Sequence, residues 1–209
     1  MTLFNDLIAG YRHFRERDYV EHHERWAELA EGQSPKVMVI ACSDSRVDPA
    51  TIFGAAPGEV FVVRNVANLV PPFELGAGRH GVSAALEFAV SQLKVAEIVV
   101  LGHGSCGGVA AALSQRFRGA PPGAGGFIDH WVDMLDEARD RIIAEYGDGP
   151  DAVRAMELET VRVSLTNLRT FPCVQESENG GRLTLHGAYF AIRDGVLHIM
   201  DDQGAFAPA

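Results

Sequence analysis

Residues 37–46, VMVIACSDSR, determine much of the fold, because an apolar run meets a cluster of reactive side chains there. Residues 37–41 are rich in valine and isoleucine without polar alternation, which is typical of a strand covered on both faces. Cys42, Asp44 and Arg46 follow without a spacer. Charged groups at the end of a buried strand are costly unless they pair or bind a ligand. The stretch therefore predicts a buried strand that ends in a functional site.

Similar apolar runs at residues 60–63 and 98–101 predict two further strands. Between and around the runs, apolar residues recur at helical spacing in four segments, residues 3–14, 82–93, 128–142 and 158–168. The most loop-like stretch, GAPPGAGG at residues 119–126, is expected to join two helices. Strands that alternate with helices predict an α/β fold with a mainly parallel sheet flanked by helices.

The C-terminal part has a different pattern. Residues 183–192 and 196–200 flank Asp194-Gly195, a dipeptide typical of a two-residue hairpin turn. We expect a C-terminal hairpin that extends one edge of the sheet.

We predict one domain over residues 1–209, divided into an N-terminal helical arm, residues 1–34, and an α/β core, residues 35–209. The arm carries apolar stripes but no strand. We expect its helices to pack on a partner subunit, although covering their own domain is an equally good interpretation.

The composition of the chain limits which partners and which cellular location are expected. The chain has 209 residues, a hydrophobic fraction of 47% and a formal net charge of −10, which disfavours binding to nucleic acid. No secretory signal or run long enough to span a membrane is visible, so we expect a cytoplasmic protein. In a reducing compartment its three cysteines point to thiol chemistry or metal binding rather than disulfides.

A second reactive cluster, GHGSCGG at residues 102–108, follows the strand at residues 98–101 and precedes a helical pattern. In a parallel sheet the carboxyl ends of strands share one edge, so Cys42, His103 and Cys106 are expected to converge there. Two thiolates and one imidazole suit zinc, with the fourth position open for solvent or substrate.

Other interpretations stay open at this point. Gly102, Gly104 and Gly107 match the G-x-G-x-x-G dinucleotide fingerprint, with Asp129 at a suitable distance but inside a helical pattern. A nucleophilic Cys–His pair and a purely structural zinc site are further alternatives. Isolated cysteines and histidines can also be ordinary packed residues.

Taken together, five segments resemble the β-class carbonic anhydrases, in particular their plant-like branch: CSDSRVDP (42–49), PGEVFVVRNVAN (57–68), GVSAALEFAV (81–90), HGSCGG (103–108) and the later pair His186-Gly187. The resemblance extends over most of the chain, and C-x-D-x-R followed by H-x-x-C is a specific combination. It implies reversible hydration of CO₂ to bicarbonate and a proton by zinc-bound hydroxide.

The resemblance also implies roles for individual residues. Cys42, His103 and Cys106 would bind Zn²⁺, while Asp44 and Arg46 would form a charged dyad that orients the hydroxide. The substrate pocket would be formed by Gln33, Phe61, Val66, Phe88 and the backbone N–H of Gly107. Relatives often have tyrosine at the position of Phe88, so a hydroxyl hydrogen bond is missing here. Part of the pocket wall comes from a neighbouring subunit in the family, which implies at least a homodimer.

Overall fold

The computed structural model describes residues 2–76 and 78–209, which form two compact units, Met1–Ser34 and Pro35–Ala209. The first unit contains three helices, α1 (Phe4–Glu16), α2 (Asp18–Glu21) and α3 (His23–Glu31). Its centre is an aromatic cluster in which the Trp26 ring lies 5.5 Å from Phe14 and 6.0 Å from Tyr19, measured between centroids. The predicted packing of these helices on a partner subunit stays a prediction.

The second unit is built on a sheet of six strands in the order β2-β1-β3-β4-β5-β6. The strands are β1 (Val37–Cys42), β2 (Val60–Asn65), β3 (Glu97–His103), β4 (Thr184–Ala191), β5 (Val196–Met200) and β6 (Phe206–Pro208). The first four run parallel, and β5 and β6 are added antiparallel at one edge. The prediction of a mainly parallel sheet flanked by helices is confirmed.

In the described part of this unit, seven α-helices accompany the sheet: α4 (Pro49–Phe53), α5 (Gly81–Glu87), α6 (Gly107–Ser114), α7 (Gly126–Val132), α8 (Asp136–Tyr146), α9 (Pro150–Leu168) and α10 (Pro172–Asn179). On one face of the sheet, Met38 and Ile40 of β1 pack in a core with Leu86 of α5 and Val161 of α9. The opposite face carries a smaller cluster around Val39. Both faces of β1 are therefore buried, as its unbroken apolar run indicates.

Three details differ from the sequence prediction. The segment 82–93 is not one regular helix, because α5 continues as a π-helical turn, Phe88–Leu93, that leaves the Phe88 side chain exposed. A 3₁₀ turn, Asp133–Leu135, separates α7 from α8 within the stripe at residues 128–142. The hairpin connection spans four residues rather than two, since β4 ends at Ala191 and β5 begins at Val196.

Within the described residues, no helix has both the length and the apolar character needed to cross a membrane.

Candidate metal centre

The parallel topology brings three ligand-type side chains together. Cys42 is the last residue of β1, His103 is the last residue of the neighbouring strand β3, and Cys106 precedes the first turn of α6. All three are buried, and their ligand atoms lie within 4.8 Å of one another. The two sulfurs are 3.9 Å apart. Two Zn–S bonds of ~2.3 Å at a tetrahedral angle require a separation of about 3.8 Å. The group therefore has the size of a tetrahedral zinc site.

The hydrogen bonding of the His103 ring leaves one of its nitrogens available as a metal ligand. Its Nδ1 lies 2.9 Å from the carbonyl oxygen of Gly104, which can only accept, so Nδ1 carries the proton and donates. The other nitrogen, Nε2, is buried and has no hydrogen-bond partner among the described residues. Buried polar atoms are rarely left unpaired, and a metal ion would satisfy this one. The residues present therefore fit a bound cation.

The two thiols titrate as a pair. A hydrogen bond from Cys106 lowers the pKa of Cys42, and the same bond raises the pKa of Cys106. The shifts are opposite because the two sulfurs share one proton. Metal binding requires deprotonated sulfur, so a divalent cation between them would replace that proton.

Asp44 and Arg46 form a bidentate pair beside these ligands. The Arg46 guanidinium donates from Nε to Oδ1 at 2.9 Å and from Nη2 to Oδ2 at 2.7 Å. The Arg46 backbone N–H also donates to Oδ1, at 3.0 Å. The bonds from the Arg46 side chain hold the pKa of Asp44 well below its usual range. Asp44 is thus an ionised, oriented acceptor at neutral pH.

Arg64 clamps the loop that carries this pair, a role that sequence reasoning missed. Its guanidinium donates to the carbonyl oxygens of Cys42 at 2.9 Å, Asp44 at 2.6 Å and Val47 at 3.3 Å. It also donates to the Asp48 carboxylate at 3.2 Å. The sequence did hold a signal for this role, because Arg64 directly follows the predicted strand at residues 60–63. A charged side chain at the end of a buried strand needs several hydrogen-bond acceptors.

Replacing Arg64 by methionine should lower the free energy of unfolding by about 2 kcal/mol, because the partly buried carbonyl oxygens lose their donor. Urea unfolding of Arg64→Met and wild type measures this difference. Arg141→Met is the matched control, since the Arg141 guanidinium donates to Glu159 at 2.9 Å from a side chain that is 62% exposed. That change should cost less than about 1 kcal/mol. Equal losses in the two variants would contradict the assigned role of Arg64.

Two of the predicted substrate-pocket residues lie at this centre. Gly107 begins α6, so its backbone N–H has no partner within the helix. Val66 lies against Gly108, where an added Cβ would come within 2.7 Å of the Val66 side chain. The Val66 turn is held by Trp131, whose Nε1 donates to the Val66 carbonyl at 2.8 Å. Asn65 braces the same turn through two hydrogen bonds with Leu69.

Two other predicted pocket residues, Phe61 and Phe88, lie in another part of the second unit. Phe61 and Phe88 form an aromatic pair with centroids 5.9 Å apart. In the strand register Phe61 pairs with Met38, which lies about 13 Å before Cys42 along β1. Gln33 belongs to the other compact unit, Met1–Ser34. Phe61 and Phe88 therefore lie away from the ligands of their own chain. The pocket roles of Gln33, Phe61 and Phe88 stay predictions.

The dinucleotide interpretation loses its support. Gly104 is needed for close packing, since an added Cβ would come within 2.9 Å of the Tyr189 hydroxyl. The carboxylate of Asp129 accepts from the Gly119 backbone N–H at 2.9 Å and so braces a loop. Both features that suggested a nucleotide site therefore have structural explanations.

Comparison with known proteins points to one family. Residues 37–197 match the model of the family described as carbonic anhydrase. Beta carbonic anhydrase 5, chloroplastic, from Arabidopsis thaliana is 36% identical over 194 residues, 92% of this chain. The chain spans 63% of the length of that relative.

Solved structures give the same result. The β-carbonic anhydrase CcaA superposes with a TM-score of 0.89 and 31% identity, over 98% of this chain and 91% of that one. Two tetrameric β-carbonic anhydrases from the ascomycete Sordaria macrospora were solved together, and the match has a TM-score of 0.80 and 29% identity over 98% of each chain. The chain therefore belongs to the carbonic anhydrase family, within its β class of enzymes.

Proposed function

We propose that this chain catalyses the reversible hydration of carbon dioxide, CO₂ + H₂O ⇌ HCO₃⁻ + H⁺. The observation that carries the proposal is the convergence of the Cys42, His103 and Cys106 ligand atoms beside the bidentate Asp44–Arg46 pair. Membership of the carbonic anhydrase family supports the same reaction.

The ion in this proposal is zinc, because thiolate and imidazole ligands favour it over magnesium or calcium. Bound zinc would lower the pKa of a coordinated water molecule and so supply a nucleophile near neutral pH. Cys42, His103 and Cys106 would occupy three of the four tetrahedral positions, which leaves one for solvent.

Asp44 would orient that solvent. Each oxygen of an ionised carboxylate has two lone pairs, so Asp44 can hold Arg46 and still accept a hydrogen bond from solvent. Arg46 keeps the carboxylate in place through its two bonds. The side chain of Val66 suits the wall of a pocket for a small apolar substrate, and the Gly107 N–H could stabilise negative charge that develops on the substrate oxygen.

The proposal includes self-association. The tetrameric enzymes of Sordaria macrospora support a homodimer or a larger assembly. A neighbouring subunit could then supply Phe61 and Phe88 to the pocket, since these two do not meet the ligands in one chain, and we propose that it also supplies Gln33. We also propose a cytoplasmic location, with which three free cysteines agree. The net charge of −10 argues against nucleic acid as a partner.

Metal analysis and stopped-flow CO₂ hydration on the purified wild-type protein test this function. We expect about one zinc per chain and rapid hydration that a chelator removes and added zinc restores. A protein that retains zinc but hydrates CO₂ no faster than buffer would contradict the proposal. Thermal stabilisation by NAD without a metal would favour the dinucleotide alternative.

The pH dependence of the reaction follows from the ligand charges. Cys42 and Cys106 as thiolates carry two negative charges, which balance the charge of a divalent ion and leave less of it to acidify solvent than three neutral imidazoles would. We therefore expect hydration activity to rise from about pH 6 into mildly alkaline solution near pH 9. A rate profile measured by stopped flow in constant ionic strength checks this expectation. A flat profile over that range would argue against the proposed ligand set.

A further inference from the structure

A buried carboxylate lies behind the metal centre. Glu157 of α9 is only 4% exposed. Its Oε1 accepts from the backbone N–H of Ser105 at 2.6 Å and of Cys106 at 3.4 Å, and its Oε2 accepts from the Tyr189 hydroxyl at 2.8 Å. The two carboxylate oxygens of Glu157 thus accept from three donors. Burying a carboxylate costs free energy, so the burial of Glu157 requires a structural or functional reason.

Ser105 connects this carboxylate to the charged pair. Its N–H is bound to Glu157, and its carbonyl oxygen accepts from Nη2 of Arg46 at 3.0 Å. The same Nη2 donates to Asp44. Ser105 has a φ of 57°, in the left-handed region that residues other than glycine adopt only when their surroundings require it. The bond to Glu157 supplies such a requirement.

Tyr189 also holds the Glu157 carboxylate in position, through its other oxygen. Tyr189 of β4 is buried, and its hydroxyl can approach because Gly104 has no Cβ. The guanidinium of Arg154 lies over the Tyr189 ring, with Cζ 3.6 Å from the centroid. Tyr189, Glu157, Ser105, Arg46 and Asp44 thus form one continuous series of hydrogen bonds.

We propose that Glu157 is a positioning residue that acts through Ser105 to hold Arg46, and through Arg46 to hold Asp44, in the orientation that CO₂ hydration needs. This inference rests on the proposed function. Glu157 is not one of the three ligands. Its main-chain contact with Ser105, at 2.6 Å, is shorter than that with Cys106, at 3.4 Å, so its effect on the reaction passes mainly through Ser105.

A measurement without catalysis tests the first part of the proposal. The rate of hydrogen exchange at the Arg46 Nε–H, followed by NMR in a deuterated sample, reports how firmly Arg46 is held to Asp44. We expect Glu157→Gln to accelerate this exchange by at least about fivefold, since it weakens the bond that fixes Ser105. The Nε–H of Arg139, which donates to the Leu113 carbonyl at 3.0 Å, is the internal control and should not change. Equal Arg46 rates in wild type and variant would overturn the proposal, even if the wild type did not hydrate CO₂.

A double-mutant cycle tests the second part. Glu157→Gln should lower kcat by about tenfold, the range seen when groups that orient a metal site are changed, while zinc content and KM stay close to wild type. In an Arg46→Ala background the same change should cost less than about twofold, because the residue through which Glu157 acts is gone. If Glu157→Gln lowers kcat by the same factor in both backgrounds, the proposal would be overturned.

A second variant covers the case in which Glu157→Gln does not fold. Tyr189→Phe removes only the hydroxyl that fixes Oε2 and leaves the ring under Arg154. It should show a smaller acceleration of Arg46 exchange and a smaller loss of kcat, which again disappears in the Arg46→Ala background. Unchanged Arg46 exchange in Tyr189→Phe, together with additive effects on kcat, would overturn the inference.

Discussion

Cys106→Ser should lose both its metal and its activity. A serine hydroxyl does not ionise near neutral pH and is a poor zinc ligand, so only Cys42 and His103 would remain. We expect zinc to fall from about one per chain to less than about 0.1, and CO₂ hydration to fall to the rate of buffer alone. Inductively coupled plasma mass spectrometry and stopped-flow assays on the same preparation measure the two effects.

Cys173→Ser is the matched control for this variant. Cys173 is a half-buried free thiol that is not part of the ligand group, and burial raises its pKa. Its replacement should leave zinc content and hydration at the wild-type level. Full zinc content in Cys106→Ser, or equal losses in both variants, would show that Cys106 is not a ligand.

Asp44→Asn should lose rate while keeping zinc. The substitution preserves the shape of the side chain but removes the negative charge that Arg46 holds and that solvent is proposed to meet. Removing a group that positions a proton in this way costs about 10²–10⁴-fold in rate. Because all three ligands are intact, metal content should stay near one zinc per chain, which separates this result from that of Cys106→Ser.

Asp136→Asn provides a control with a similar ion pair outside the site. Asp136 accepts from Arg118 at 2.8 Å, and the side chains are 39% and 50% exposed. Such a surface pair contributes about 0–1 kcal/mol to stability, so kcat should not change. A rate for Asp44→Asn within about twofold of wild type would remove Asp44 from the mechanism, whatever the metal content.

The parts of the site that could be predicted are those that depend on local sequence and on strand direction. Cys42 and His103 closely follow apolar runs, and parallel strands end at one edge of a sheet, so their proximity follows from topology. The pairing of Asp44 with Arg46 follows from their separation by one residue in a tight loop. The hairpin at Asp194-Gly195 was predicted from turn chemistry, but its loop length depended on where β4 stopped pairing.

The parts that could not be predicted depend on contacts between distant segments. Glu157 reaches Ser105 from α9, and three helices lie between the two residues in the chain. Its spacing of four residues from Val161 puts it on the inward face of α9, but the contact with Ser105 depends on how α9 packs. Arg64 lies in β2, but the carbonyl groups that it binds belong to the last residue of β1 and to the loop that follows it. The position of Phe61 relative to the ligands depends on strand register, which an unbroken apolar run specifies only weakly.

The main-chain partner of His103 has an evolutionary consequence. Metal-binding histidines are often oriented by an aspartate or glutamate, which a single codon change can delete. Here the acceptor is the carbonyl oxygen of residue 104, and every amino acid carries that atom. A substitution can therefore weaken the hydrogen bond that sets the tautomer of His103 by moving the backbone. No substitution at residue 104 can remove the acceptor atom itself.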